Sequence, residues 1–312
     1  MNFTSIIKEV GRGAKGARGL EPLIAQEGFA ALLAGEVSDV QLGAFWLAMR
    51  IKGETLEELS AFVAAMQESL AFRVEAAQPV VILPCYNGAR QLPNLTPLLA
   101  WALAQRGVPV LLHGVTADPS RVTTFELFNE LGALGFPITE TAAETQQALA
   151  KKRIAFTPLT ALHPKLAGLL AKRWQIGVRS TPHTVAKLLQ PISGSAITVI
   201  ALTHGDYIER MTAYIATLPN GEANALVFRG CEGEPVLHPK RAVPVQIFQN
   251  GAAVMREWAG VATHDLPDTC DIATTVAYIE SVIHGKRPMP AWIDWLARHV
   301  HQTTYEIDPS TS

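Results

Sequence analysis

Apolar residues in the first 70 positions recur at helical spacing, and polar residues mark where each helix stops and starts. The run from Leu20 to Leu33 is closed by Gly35. Ser38 with Gln41 three residues later forms a capping box, and Leu42, Phe45, Trp46 and Met49 then share one face as far as Gly53. Thr55 and Glu58 repeat the box ahead of Leu59, Phe62, Val63 and Met66. The aromatic and methionine positions of these helices are read as core. From residue 79 the grain changes. Val80-Val81-Ile82-Leu83 is an unbroken apolar run closed by Pro84, which predicts a buried strand. A helix through Leu98–Leu103 follows, then a second strand at Val108–Leu112. Strand, helix, strand predicts a βαβ unit with a parallel sheet. The pattern resumes with a strand at Ile197–Leu202, a helix over Tyr207–Leu218 and a strand at Ala225–Phe228. Helices are expected over 271–284 and 289–301, with a frayed polar tail from Thr303 to Ser312.

Between the two sheet portions, residues 163–176 read as a helix. Leu166, Leu169, Leu170 and Trp174 form its apolar face, and Lys165 and Lys172 share the neighbouring edge. Arg173 falls inside the apolar arc, so its head group is expected in a cleft or along an interface. Lys187 lies in a second short helix near Thr184-Val185-Ala186. Both helices are expected to leave the sheet and pack on the N-terminal ones. The expected fold is α/β: a small all-helical domain from 1–73 and 163–190, and a larger α/β domain from 74–162 and 191–312. The larger domain is expected to carry a mostly parallel central sheet flanked by helices.

Composition narrows the class. With 312 residues, 48% of them apolar, and a formal net charge of −2, the chain carries enough apolar surface to fold and is not intrinsically disordered. No apolar run reaches the roughly 20 residues of a membrane-spanning helix. The first residues have no apolar signal-peptide core. Cys85, Cys231 and Cys270 are odd in number and widely spaced, which yields neither a disulfide framework nor a zinc site and fits a cytoplasmic protein without a membrane partner.

A near-zero net charge argues against a polyanion partner only if charge is evenly spread, and it is not. Residues 145–205 contain no acidic residue but carry Lys151, Lys152, Arg153, Lys165, Lys172, Arg173, Arg179 and Lys187. The other 251 residues hold 18 basic and 28 acidic ones, so +8 on one segment faces −10 on the rest. Lys8, Arg12, Lys15 and Arg18 form a second cluster against Glu9 alone. Such a run is either a solvated face whose acidic partners lie elsewhere in the fold or an anion-binding surface.

The stretch from His163-Pro164 through Arg173 to Gly177-Val178-Arg179 resembles the His-Pro…Arg-x-x-Leu-Gly-Ile-Arg segment of anthranilate phosphoribosyltransferases. The resemblance extends over nearly the whole chain. It is strongest to a paralogue subfamily sharing Ile7-Lys8-Glu9, Gly11-Arg12-Gly13, Tyr86-Asn87-Gly88-Ala89-Arg90 and Asn94-Leu95-Thr96-Pro97. In the enzymes a Gly-Thr-Gly-Gly-Asp loop holds phosphoribosyl pyrophosphate. Here those positions read Cys85, Tyr86, Asn87 and Gly88, with bulk in place of a glycine and without the aspartate. The resemblance keeps Asn94 and Thr96 from the downstream Asn and Ser, and His113-Gly114 from a Lys-His-Gly that has lost its lysine. The magnesium-holding Asp-Glu pair corresponds to Cys231-Glu232-Gly233-Glu234, where the two acids are no longer adjacent.

The resemblance therefore implies a vestigial phosphoribosyl pyrophosphate cleft formed by Asn87, Gly88, Arg90, Asn94, Thr96, His113 and Gly114. It also implies a vestigial aromatic-acid pocket at His163 and Arg173. No catalytic residue, metal ligand or cofactor is assigned. The resemblance further implies a homodimer, joined through the helical domain, that binds DNA or RNA without sequence preference. Together with the +8 segment this makes nucleic-acid binding through Lys165, Lys172, Arg173, Arg179 and Lys187 the leading expectation. No helix-turn-helix, zinc-finger or aromatic RNA-binding motif argues for base readout. The alternative is a phosphoribosyltransferase or phosphorylase acting on a substrate other than anthranilate, with Arg90, Asn94, His113 and Arg121 at its phosphate site and magnesium as its ion. A third reading is a structural dimer with an unused cleft, in which His163 only caps a helix.

Overall fold

The computed structural model describes residues 2–13, 15–219, 222–261, 266–267 and 269–307. Four helices open the chain: α1 (Phe3–Val10), α2 (Pro22–Ala34), α3 (Asp39–Lys52) and α4 (Leu56–Glu68). They are followed by β1 (Val74–Glu75), β2 (Val80–Cys85), α5 (Thr96–Ala104), β3 (Val110–Gly114), α6 (Thr124–Glu130), α7 (Ala142–Lys152) and β4 (Ile154–Pro158). Short helices come next: α8 (Leu159–Leu162), α9 (Pro164–Ala171), α10 (Arg173–Ile176) and α11 (Thr181–Val185). The chain then runs through β5 (Ile192–Ser193), β6 (Ala196–Leu202), α12 (Gly205–Ile215), β7 (Ala225–Arg229), β8 (Val243–Gln249), β9 (Ala252–Trp258), α13 (Ile272–Ile283) and α14 (Ala291–Ile307).

These elements form two compact units, Met1–Ala71 with Leu159–Pro191, and Phe72–Pro158 with Ile192–Ser312. In the first, both expected capping boxes form: Ser38 with Gln41 opens α3 and Thr55 with Glu58 opens α4. Phe29, Phe45, Trp46, Met49, Phe62 and Met66 are buried, as their spacing requires. Glu58 is also buried. Its carboxylate accepts from the Leu20 and Thr55 backbone N–H groups at 2.8 Å each and pairs with Lys52 Nζ at 2.6 Å. The segment from 159 to 191 packs on this bundle through α9 against α2 and α11 against α3 and α4.

The second unit is built on a seven-stranded sheet of order β4-β3-β2-β6-β7-β8-β9. The first five strands run parallel, and β8 and β9 are antiparallel. The mostly parallel sheet and the preceding helical bundle are the architecture expected from the sequence. Two differences are local. Pro84 does not end β2, which continues to Cys85 in register with β3. The Val80 N–H faces β6 and the Val81 N–H faces β3, so a donor at Pro84 would face β6. Pairing with β6 stops at Ile82, and the missing N–H costs no ladder bond. The second difference is the expected frayed tail. Helix α14 runs on to Ile307 because Thr303 and Thr304 are buried and donate to the His299 and Val300 carbonyls at 2.8 Å. Residues 308–312 lie outside the described residues.

Candidate functional site

In the second unit the chain leaves β2 towards β3 on one side, and β6 adds on the other, so the carboxyl end of β2 is the point where the strand order reverses. Crevices at such points are where open α/β sheets present ligand loops. The loops after β2, β3 and β7 meet there. Gly114 at the end of β3 lies against β2 so closely that a Cβ would sit 1.8 Å from the Cys85 carbonyl oxygen. Tyr86 and His113, both buried, are joined by a 2.7 Å hydrogen bond between the phenol oxygen and Nδ1. Burial holds the Tyr86 phenol well above its usual range, so it remains protonated.

Asn87, Gly88, Arg90, Asn94 and Thr96 fall into one bonded network with residues of the β7 loop. Glu234 Oε1 accepts from the Asn87 and Gly88 backbone N–H groups, both at 2.8 Å, and Oε2 accepts from Thr124 Oγ1 at 2.9 Å. Thr124 in turn accepts from Asn94 Nδ2 at 3.0 Å, and Asn94 Oδ1 accepts from the Thr96 N–H at 3.2 Å. Glu232 Oε1 accepts from the backbone N–H groups of Arg90, Gln91 and Leu92 at 3.1, 2.8 and 3.2 Å. Its Oε2 lies 3.3 Å from Arg121 Nη1, which also donates to the Gly88 carbonyl. The side-chain amide of Asn87 donates to the Glu232 carbonyl at 3.1 Å. Thr96 Oγ1 is buried without a hydrogen-bond partner.

This arrangement does not fit magnesium pyrophosphate. The two carboxylates that would hold the ion are turned onto the loop whose amides would hold the phosphates. Each occupies the other's binding capacity. Sequence reading identified both glutamates as a displaced metal pair but could not anticipate this pairing, which depends on contacts 140–147 residues apart along the chain. Thr124, which links the two halves, carried no sequence signal.

The basic segment resolves differently from its composition. Lys187 is a correction: it is 5% exposed, so its ammonium is not on a surface where it could meet a phosphate. Lys172 is paired with Asp39 Oδ1 at 2.7 Å. Lys165 lines a hollow of about 450 Å³ together with Glu27, Glu36 and Glu68. The segment is free of acids in sequence and not in space. Lys151, Lys152 and Arg153 end α7 and are exposed.

The expected single helix over 163–176 divides at Lys172, and α10 ends at Gly177. That break carries Trp174 out of the apolar face where it was expected. It is 54% exposed, with the Arg173 guanidinium carbon 3.9 Å above its ring centroid. Val178 and Arg179 are held by α3, whose Trp46 Nε1 and Arg50 Nη1 donate to their carbonyls at 2.9 and 2.6 Å. Arg50 is itself exposed, so α3 brings a further cation beside Arg179.

His163 is fully buried as the N-cap of α9. Its Nδ1 accepts from the Leu166 N–H at 3.1 Å, and its Nε2–H therefore points to the Met66 carbonyl at 3.0 Å, beside Ser69 Oγ. Burial lowers its pKa, consistent with a neutral ring engaged on both nitrogens. The geometry gives His163 a capping role in place of the expected pocket role. His183, which sequence reading passed over, is half-buried, with both ring nitrogens shielded from solvent and neither hydrogen-bonded. Burial, then Arg179, Arg173 and Lys187, push its pKa down to about 3.

Known proteins are similar to this chain to different depths. Residues 4–70 match the glycosyl transferase family, helical bundle domain. The chain is 37% identical over 297 residues to the Escherichia coli K12 protein YbiB, covering 93% of this chain and 90% of that one. It is 29% identical over 233 residues to the anthranilate phosphoribosyltransferase of Symbiobacterium thermophilum, covering 73% of this chain and 64% of that enzyme. Among solved structures, the anthranilate phosphoribosyltransferase TrpD from Thermus thermophilus superposes with a TM-score of 0.75 at 21% identity, covering 99% of this chain and 90% of that one. The Saccharomyces cerevisiae enzyme in complex with PRPP and Mg gives 0.74 at 12% identity, covering 99% and 95%. With a relative this similar along almost its full length, the chain belongs to the YbiB-type branch of the anthranilate phosphoribosyltransferase family.

Proposed function

We propose that this protein binds nucleic acid without sequence preference, on a phosphoribosyltransferase scaffold whose phosphate loop is filled by its own side chains. The observation that carries the reading is Trp174, more than half exposed and backed by the Arg173 guanidinium at 3.9 Å. A base can stack on an indole whatever its identity, and neighbouring cations release counterions as they meet phosphates. Arg179 and Arg50 extend the positive face, and the acid-paired Lys172 and buried Lys187 drop out of the binding set proposed from the sequence.

The test is a titration of labelled single-stranded oligonucleotides at several salt concentrations. Affinity is expected to fall linearly on log–log axes. Trp174→Ala should cost about 1–3 kcal/mol, roughly five- to 150-fold in Kd. Replacing Arg173, Arg179 and Arg50 together with Glu should flatten the salt slope by about 0.7 for each phosphate that is no longer neutralised. No binding at low salt, or binding indifferent to both changes, overturns the reading. The rival transferase reading is favoured by the likeness of scaffold. Tight saturable heat on adding phosphoribosyl pyrophosphate with magnesium would support it instead.

We propose further that the protein is a homodimer joined through its helical unit. Val40, Ala44, Leu47 and Ile51 make an exposed apolar stripe along α3, at the spacing of one helix face.

A further inference from the structure

The loop from Tyr86 to Leu92 directs five successive or near-successive backbone N–H groups, those of Asn87, Gly88, Arg90, Gln91 and Leu92, towards two carboxylates. Converging main-chain donors of this kind form an anion-binding nest, and the nearby Arg121 adds a full positive charge. A nest filled by a protein side chain is uncommon enough to need a cause, and the turn after β7 supplies one. Glu232 adopts a φ of 55°, in the left-handed region that a side chain disfavours, and Gly233 follows at 89°. This pair of left-handed residues turns the side chains of Glu232 and Glu234 onto the same loop. A Cβ at position 233 would lie 2.3 Å from Asn87 Nδ2, so the turn is pressed directly on the nest. The strain at Glu232 is tolerated because three amides and a guanidinium receive its carboxylate.

We propose that Glu232 is a tethered internal anion that closes an oxyanion site of phosphate or pyrophosphate type, and that the 231–234 turn is the plug of that site. Tethering gives the carboxylate an effective concentration that a free anion must outcompete. The closed state therefore excludes pyrophosphate, and magnesium has no free carboxylate pair to join. Removing the carboxylate leaves donors that are preorganised, positively flanked and unsatisfied, and these should capture an oxyanion. The proposal is independent of the nucleic-acid reading, because it concerns only the loops after β2, β3 and β7.

The decisive variant is Glu232→Gly. Glycine suits a φ of 55°, so the plug is removed while backbone strain is relieved. The probe is inorganic pyrophosphate, measured by calorimetry with and without magnesium, beside amide hydrogen exchange of residues 90–92. In the unaltered protein no saturable heat is expected, and the three amides should be protected. In Glu232→Gly their exchange should accelerate by at least about tenfold, the scale of one charge-assisted hydrogen bond removed. Pyrophosphate should then bind saturably, restore the protection, and bind at least about tenfold more weakly once Arg121→Ala is added. Saturable pyrophosphate binding to the unaltered protein overturns the proposal. Unprotected amides at 90–92 in that protein overturn it as well. So does a folded Glu232→Gly protein that takes up no pyrophosphate. If that variant fails to fold, Glu232→Gln carries the same comparison with a smaller acceleration, and unchanged exchange there counts against the plug.

Discussion

Individual charges in this protein are decided by what surrounds them. Glu58 and Lys187 are ionisable and buried, and His183 is half-buried with its ring nitrogens shielded, so the fold handles each charge differently. Glu58 is compensated by two backbone donors and Lys52. Glu58→Ala should therefore destabilise the fold by about 3–5 kcal/mol, read from the urea midpoint, since it strands Lys52 and two amides together. A shift under about 1 kcal/mol would show that the network is worth little. His183 stays neutral: burial and then Arg179, Arg173 and Lys187 oppose its charge and outweigh the Ser180 backbone, and Trp46 packs edge-on against its ring. Its folded pKa of about 3 lies below the unfolded value of about 6.5. At pH 7 and above the ring is neutral in both states and contributes no pH dependence. As pH falls from about 6.5 towards 3, the unfolded chain takes up a proton that the folded one refuses, and stability drops by up to about 1.4 kcal/mol per unit. Replacing His183 with Asn should remove that increment from the stability–pH curve, leaving the smaller parts due to His163, His238 and His301, whose pKa values are also lowered. An unchanged curve would refute the assignment.

At the scale of elements, helices announced by caps were legible and those ended by packing were not. Ser38–Gln41 and Thr55–Glu58 are local signals, and α3 and α4 begin where they point. The division of 163–176 at Lys172 has no proline or glycine to mark it, and so Trp174 reads as core in sequence although it is exposed in the fold. The strand pair β8 and β9 was not legible because β8 carries Pro244 inside it and β9 is exposed along most of its length. The stripe on α3 belongs to the same scale. Leu47→Glu with Ile51→Glu should convert a dimer to a monomer in sedimentation or light scattering without loss of helicity, since neither side chain lies in the core. A protein that is monomeric before substitution would contradict the proposed assembly.

At the scale of the whole molecule, the contrast of +8 on 61 residues with −10 on the remainder is a fact of the chain, and its meaning is a fact of the fold. Asp39, Glu27, Glu36 and Glu68 come from α2, α3, α4 and their connections to stand beside Lys172 and Lys165. The face proposed for a polyanion centres on Arg173, Trp174, Arg179 and Arg50. Sequence by itself determined the helical bundle followed by a mostly parallel sheet and the two-piece origin of the helical unit. Those features rest on periodicity, caps and residue identity, all written within a few positions of one another. Only the tertiary structure decided which cations are paired or buried, that Trp174 faces outward, and that Glu232 and Glu234 fill the loop beside which an ion would sit. The pairings among them join groups more than 100 residues apart, where a hydrogen bond of 3 Å leaves no trace in spacing along the chain.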